Sequence, residues 1–370
     1  MKKNRIAIIG SCCVLAVGSL LLGCAKDAPT YPPAKPCVVD TTSSTVYVAG
    51  TDVKLDKTGR SRYYAVYWKN GREVTLTDSS TKAQAYAIAV SGTDVYVAGV
   101  VAPHATYWKN GVPVTLSESI SIALAIAISG SDVYVAGNAL EGEHIFAVYW
   151  KNGNRVTLSD ASNNSKATST AVAGNDVFVA GNLNLGGRSV ARYWLNGEPV
   201  NLTDTTKVGE KTVDATASSI FISGVDIYVA GQQVINGGAL PVRIATYWKN
   251  GTPVLLSNGI HDAGALSIFV AGDKVSVAGY ERYNDISNSI AIYWHDGYSL
   301  TVSGNTGKYI SYASANSVFA TGANVYVAVE EVDPNEGSSL AKYWKDGCSV
   351  DLTIGETSII GLNSIFVVEY

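Results

Sequence analysis

Carboxylates, imidazoles and tyrosines are the side chains here that could do chemistry, and their spacing argues against most of it. Asp94, Asp132, Asp176 and Asp226 recur in Gly-x-Asp turns, so a ring of carboxylates around a cation is one reading. Lys274 and Asn324 hold the same place in two further copies, however, and an Asp after Gly ordinarily bonds its own turn. The four histidines, His104, His144, His261 and His295, are scattered without the spacing of a metal motif. No serine or cysteine sits in the strained elbow of a nucleophilic triad. The expectation is no catalytic residue, no metal and no cofactor. Tyrosines and acids outside the repeated positions are more informative. Tyr280, Tyr283, Tyr309 and Tyr312, with Glu331 and Asp333, fall in three stretches expected on one face. They predict a tyrosine platform edged with carboxylates, suited to the face of a sugar or to a protein hot spot.

The elements that must position this platform follow from a repeat. All 7 tryptophans (Trp68, Trp108, Trp150, Trp194, Trp248, Trp294 and Trp344) follow a tyrosine, at spacings of 40, 42, 44, 54, 46 and 50 residues. That period is about four short strands long, which predicts an all-β, seven-bladed β-propeller with four antiparallel strands per blade. Residues 84–117 show one unit. A strand of small and branched residues ends at Ser91-Gly92, and Val95-Tyr96-Val97-Ala98-Gly99 follows. Then comes a strand ending in Tyr107-Trp108, an Asn110-Gly111 hairpin that needs positive φ at both residues, and an edge strand. The chain opens on a second strand (about 45–50) and finishes on a first strand (about 363–368), so pairing the two closes the ring and removes free edges. Lys69, Lys109, Lys151, Lys249 and Lys345, each just before a hairpin turn, read as a solvated rim.

The order of strands resembles a WD40 repeat without its Gly-His and Trp-Asp dipeptides. The Val-Tyr-Val-Ala-Gly and Trp-x-Asn-Gly pieces are similar to bacterial extracellular propeller repeats of the kind called HAF. That resemblance covers residues 45–370 and implies the fold, with no activity attached.

Ahead of the repeats lies an export signal. Lys2, Lys3 and Arg5 precede an uncharged apolar stretch from Ile6 to Leu22. Leu21-Leu22-Gly23-Cys24 resembles the bacterial lipobox, which implies cleavage before Cys24 and acylation of its thiol. Residues 1–23 are then the signal peptide, 24–44 a lipidated Pro-rich tether, and 45–370 the propeller. An Asp after the lipidated cysteine would imply inner-membrane retention. Ala25 stands there instead, so the resemblance implies the outer membrane, and Lys26-Asp27 resembles a surface-export signal of Bacteroidetes lipoproteins.

Cleavage lowers the basic residues from 27 to 24 against 31 acidic ones, a net charge of −7. A mildly acidic chain excludes nucleic acid as a partner and leaves a lipid-anchored membrane contact plus a polysaccharide or protein ligand. Of the 5 cysteines, Cys37 and Cys348 remain to form a disulfide in an oxidising compartment. The functional expectation is a non-catalytic envelope lipoprotein that binds through its long-loop face. An outer-membrane scaffold for protein complexes and a glycan hydrolase or lyase are the alternatives.

Overall fold

The computed structural model describes residues 35–36, 43–78, 80–159, 162–203, 214–235, 241–282, 289–303, 312–322, 324–333, 338–352 and 359–370. Cys24, Cys37, Tyr283 and Tyr309 lie outside them. Among the described residues every regular element is a β-strand, and the strands form seven sheets. Blade 1 joins the two ends of the chain, with Ile359–Glu369, Ser44–Leu55, Ser61–Lys69 and Arg72–Thr75 as successive neighbours. Blades 2 to 7 are simple meanders. Their inner strands are Ala83–Ser91, Ser121–Ser129, Ser165–Ala173, Ala215–Ser223, Asp262–Ala271 and Tyr312–Ala320. Their outer strands are Val112–Thr115, Asn154–Thr157, Glu198–Asn201, Thr252–Leu255, Tyr298–Thr301 and Cys348–Asp351. Each inner strand touches the inner strands on both sides, so the seven close a ring. The fold is a seven-bladed β-propeller.

Small residues on the inner strands let the blades converge, and every inner strand carries a β-bulge at the same place, between Ala85 and Ala87 in blade 2. Gly99 stands opposite that bulge. A Cβ there would collide with the Gln84 carbonyl and come within 3.0 Å of the Trp108 ring. The glycine and the tryptophan, distant in the sequence pattern, are therefore one packing device. All seven tryptophans are at most 6% exposed and sit in the wedges between blades. Trp150 of blade 3, for example, packs on Tyr96, Ala98 and Ala105 of blade 2. Truncating a buried ring of this size typically costs about 3–5 kcal/mol. The tryptophans hold the ring together and are not free to stack on a ligand.

Next to the bulge in five of the seven blades a second device links neighbouring blades. Ser169, Ser219, Ser267, Ser317 and Ser364 accept the backbone N–H groups of Ile220, Ile268, Val318, Ile365 and Ile88 on the following blade, at 3.1–3.4 Å. Alanines stand at this place in blades 2 and 3 (Ala87 and Ala125). Four inner-strand phenylalanines continue the inner ring from blade 5 through blade 1. Phe221, Phe269, Phe319 and Phe366 lie 4.5, 4.6 and 5.0 Å apart in succession.

The hairpins are built as their sequence requires. Asn70, Asn110, Asn152, Asn196 and Asn250 have φ of 49–53°, and each is followed by a glycine with positive φ. In blade 2 the Asn110 amide accepts the Val95 N–H at 2.8 Å and donates to Asp94 at 2.7 Å. Lys109 pairs with Asp94 at 2.8 Å and lies 5.2 Å from the centre of the Tyr96 ring. The same set recurs as Asp132, Lys151 and Tyr134, and as Asp226, Lys249 and Tyr228. The turn aspartates are thus engaged within their own blades, and these lysines are pinned rather than freely solvated.

One addition falls outside the four-strand plan. Lys35–Pro36 pairs in parallel with Cys348–Ser349, a fifth strand on the outer edge of blade 7. Cys348 is disulfide-bonded.

Candidate functional site

Second strands run toward the long-loop face, and the residue after Val-Ala-Gly is the one each blade presents there to its successor. Across blades 1 to 7 that residue is Thr51, Val100, Asn138, Asn182, Gln232, Tyr280 and Glu330. In blades 3 and 4 it is a plain clamp. Asn138 accepts the Ala167 N–H at 2.8 Å, and Asn182 accepts the Ala217 N–H at 2.7 Å. In blades 5, 6 and 7 the clamp becomes a cluster.

Tyr280 donates its hydroxyl to Gln232 Oε1 at 3.2 Å, and the Arg282 guanidinium lies 5.2 Å from the ring centre. Gly264 makes room for this contact. A Cβ on it would stand 2.7 Å from Gln232 Oε1 and 2.8 Å from the Tyr280 ring. Arg243 is tied to Asp262 through its backbone N–H at 2.8 Å and its guanidinium at 3.0 Å. Burial raises the Tyr280 phenol above its ordinary range, while Arg282 and Arg243 pull it back. Tyr312, 37% exposed at the start of the blade 7 inner strand, is raised by burial too and feels both Glu330 and Arg282. Burial pushes the Glu330 carboxyl up to about 7, against the pull of the Asn316 amide and the Leu362 N–H. Asn316 reaches Glu330 at 3.3 Å and donates to the Leu362 carbonyl at 2.6 Å, which ties blade 7 to blade 1. Burial likewise raises the neighbouring Glu281, opposed by the charge of His261.

Of the predicted platform, Tyr280 and Tyr312 are therefore brought into one cluster. The side chain of Asp333 lies outside the described residues, as do Tyr283 and Tyr309. Glu331 needs correction. It points to the other side of its strand from Glu330, is fully buried, and forms a 2.6 Å ion pair with the buried Lys342. A carboxylate held this way cannot edge a ligand platform. The acid at the cluster is Glu330, one residue earlier, and aligning the six Val-Ala-Gly segments with Val327-Ala328-Val329 is the sequence signal that identifies it.

Chemically the cluster offers two phenol donors, a guanidinium, an amide, and a carboxyl that at neutral pH can either donate or accept a hydrogen bond. Among the described residues no three His, Cys, Asp or Glu side chains are grouped to hold a metal ion.

No family model matches the chain, and no curated protein matches it. Solved structures do resemble it in fold. It is 13% identical to the Pyrococcus horikoshii acylaminoacyl peptidase, with a TM-score of 0.50, over 84% of this chain and 50% of that one. It is 11% identical to TolB from Acinetobacter baumannii, with a TM-score of 0.43, over 71% of this chain and 64% of that one. A polysaccharide lyase described as an ulvan lyase of family PL25 gives 8% identity and a TM-score of 0.40, over 88% and 85% of the two chains. This chain thus spans half to under two thirds of the length of the peptidase and of TolB. At these identities the likeness is one of fold alone.

Proposed function

We propose that this protein is a lipid-anchored envelope receptor that binds a polysaccharide at the blade 5–7 cluster on its long-loop face. The observation that carries the reading is the convergence of Gln232, Tyr280, Arg282, Tyr312 and Glu330 from three adjacent blades, where blades 3 and 4 have only amide clamps. Aromatic faces beside a few convergent hydrogen-bonding groups are the usual means of holding a sugar ring. Anchoring rests on the basic, apolar leader and on the lipobox around Cys24. It accords with the resemblance to HAF-type extracellular repeats and with a place in the outer membrane. The chain enters blade 1 at Ser44, on the hairpin face, so a tether there leaves the long-loop face pointing away from the lipid.

Glycan arrays with the purified protein test this, followed by titration of the glycans that bind. Tyr312→Ala and Tyr280→Phe should each weaken binding about tenfold with the fold intact. Unchanged affinity in both, or capture of a protein in place of any glycan, removes the polysaccharide reading.

Glu330 also supports a second reading, a glycan hydrolase or lyase. A partly buried carboxyl that titrates near neutrality is suited to general acid–base work. New reducing ends or unsaturated products from a bound glycan, lost in Glu330→Gln while binding persists, would establish turnover. Binding without product supports the receptor.

A further inference from the structure

On the opposite, hairpin face one arrangement recurs in blades 2, 3 and 5, is partly kept in blades 1, 4 and 7, and is lost at all three of its places in blade 6. Blades 2, 3 and 5 each set a lysine between a tyrosine ring and an aspartate, with ammonium–aspartate distances of 2.8–2.9 Å. In blade 6 the three corresponding places hold His295, Ser276 and Lys274. His295 stacks instead on Tyr293, 5.2 Å between centres and 16° from parallel. The wedge between blades 5 and 6, where that lysine stem is missing, holds a cavity of about 310 Å³.

Its walls break the repeat again. Leu255, 52% exposed, stands where Thr75, Thr115, Thr157 and Thr301 stand in other blades. Tyr298, 49% exposed, is the one aromatic residue at its position, which elsewhere holds Arg72, Val112, Asn154, Glu198, Thr252 and Cys348. Tyr247 closes the blade 5 side, and Asp273 and Asp296 supply carboxylates at the cavity wall. The phenol of Tyr247, raised by burial first, also feels the charge of Asp296 across the wedge.

We infer that this wedge is a second binding pocket, built for the ammonium or guanidinium head of a basic side chain on a partner polypeptide. The fold itself shows what fits such a place. In the regular blades the group held between aromatic face and carboxylate is a lysine head, 5.1–5.2 Å from the ring centre. The blade 6 wedge offers rings and carboxylates from other positions, Tyr247, Tyr298, Asp273 and Asp296, with no lysine between them. His295, 3.9 Å from Asp296, is the basic group nearest that carboxylate, so an ammonium or guanidinium head from outside the chain has a place to enter. Apolar Leu255 and the Tyr298 ring receive the aliphatic stem. Lys274 is not among the residues that line the cavity.

The test uses residues the repeat already tolerates. Asp296→Asn installs the residue of five other hairpins, Asp273→Asn that of Asn175, and His295→Lys that of Lys69, Lys109, Lys151, Lys249 and Lys345. The complete chain, labelled with nitrogen-15, is titrated with Ac-Gly-Lys-Gly-NH2 and Ac-Gly-Arg-Gly-NH2, and with the norleucine analogue as an uncharged control. Both basic peptides should shift the amide signals of Leu255, His295, Gly297 and Tyr298, and the norleucine peptide should not. The double variant Asp273→Asn/Asp296→Asn should bind at least tenfold more weakly. His295→Lys should abolish binding by filling the pocket from within. The proposal is overturned if the basic peptides leave these signals unmoved, if norleucine binds as well, or if the variants bind like the parent. Melting curves matching the parent show that a loss reflects the pocket and not the fold.

Discussion

In blades 2, 3 and 5 a lysine, a tyrosine, an aspartate and an asparagine are set into one hairpin in the same way each time. In blade 6 every such position departs from the pattern (His295, Ser276, Lys274 and Asp296), and in blade 7 Asn324 and Asp346 do, beside a retained Lys345 and Tyr326. Blades 2, 3 and 5 hold neutral Thr106, Val148 and Thr246 at the buried place before Tyr-Trp, where blade 4 has Arg192 and blade 7 has Lys342 bonded to a buried Glu331. Amides fill the clamp position in blades 3 to 5, whereas blade 6 has Tyr280 and blade 7 has Glu330. The regular blades show what this fold needs in order to stand. Against that background the departures mark where the chain gives up ease of packing for something else, which is the pattern expected of a functional region. Both proposed sites, on opposite faces, draw on blade 6.

The sharpest way to break this comparison is at the buried charge. Lys342→Met strands Glu331 in the core and should cost about 3–5 kcal/mol in urea unfolding. The double variant Glu331→Leu/Lys342→Met should recover most of that loss. Thr106→Val, at the matching place in the regular arc, gives up one hydrogen bond and should cost about 1 kcal/mol or less. Equal losses at the two positions would mean that blade 7 is as tolerant as blade 2.

A smaller effect is expected from pH. The Glu330 carboxyl titrates near 7 in the folded chain, above its unfolded value of about 4.3. Folding therefore favours its protonated form. Its stabilising contribution is complete below the unfolded value and is lost as pH rises through the folded one. Glu330→Gln carries no such penalty, so its stability relative to the parent should climb by about 2 kcal/mol between pH 5 and 8. Parallel melting curves across that range would place Glu330 in ordinary contact with water. A gain in stability joined to a loss of glycan binding would be the signature of a site maintained at the expense of the fold.

The smallest expected change concerns the serine links. Ser267→Ala leaves the Val318 N–H without its acceptor and should cost about 1 kcal/mol. Ala87→Ser, at a seam that lacks the link, should leave stability unchanged or raise it by a fraction of that. The reverse order would show that the alanine seams of blades 2 and 3 are already optimal.

Much of this architecture is legible in the sequence, because Tyr-Trp spacing, Asn-Gly hairpins and the unpaired terminal strands are local signals. The seven blades and the shared blade 1 follow from them directly. The site is less legible for a physical reason. Successive residues of a strand face opposite sides, so Glu330 and Glu331 look alike in the sequence yet one meets the cluster and the other a buried lysine. Only register distinguishes them, and register in blade 7 is obscured because Val329 stands where the other blades have glycine. The blade 6 wedge is harder still to anticipate. It arises from what Lys274, Ser276 and His295 fail to do, and it becomes visible once the repeated triplet has been seen at work elsewhere.

The short parallel pairing of Lys35–Pro36 with blade 7 gives the molecule a defined load path. A pull on the chain ahead of Lys35 is delivered first to Cys348–Ser349 at the outer edge of blade 7, not to Ser44–Leu55, the strand that closes the ring. Tension is taken up at the rim, where a short outer strand can be peeled without opening the circle. A pull from that end would thus leave the ring shut while the outermost strand gives way.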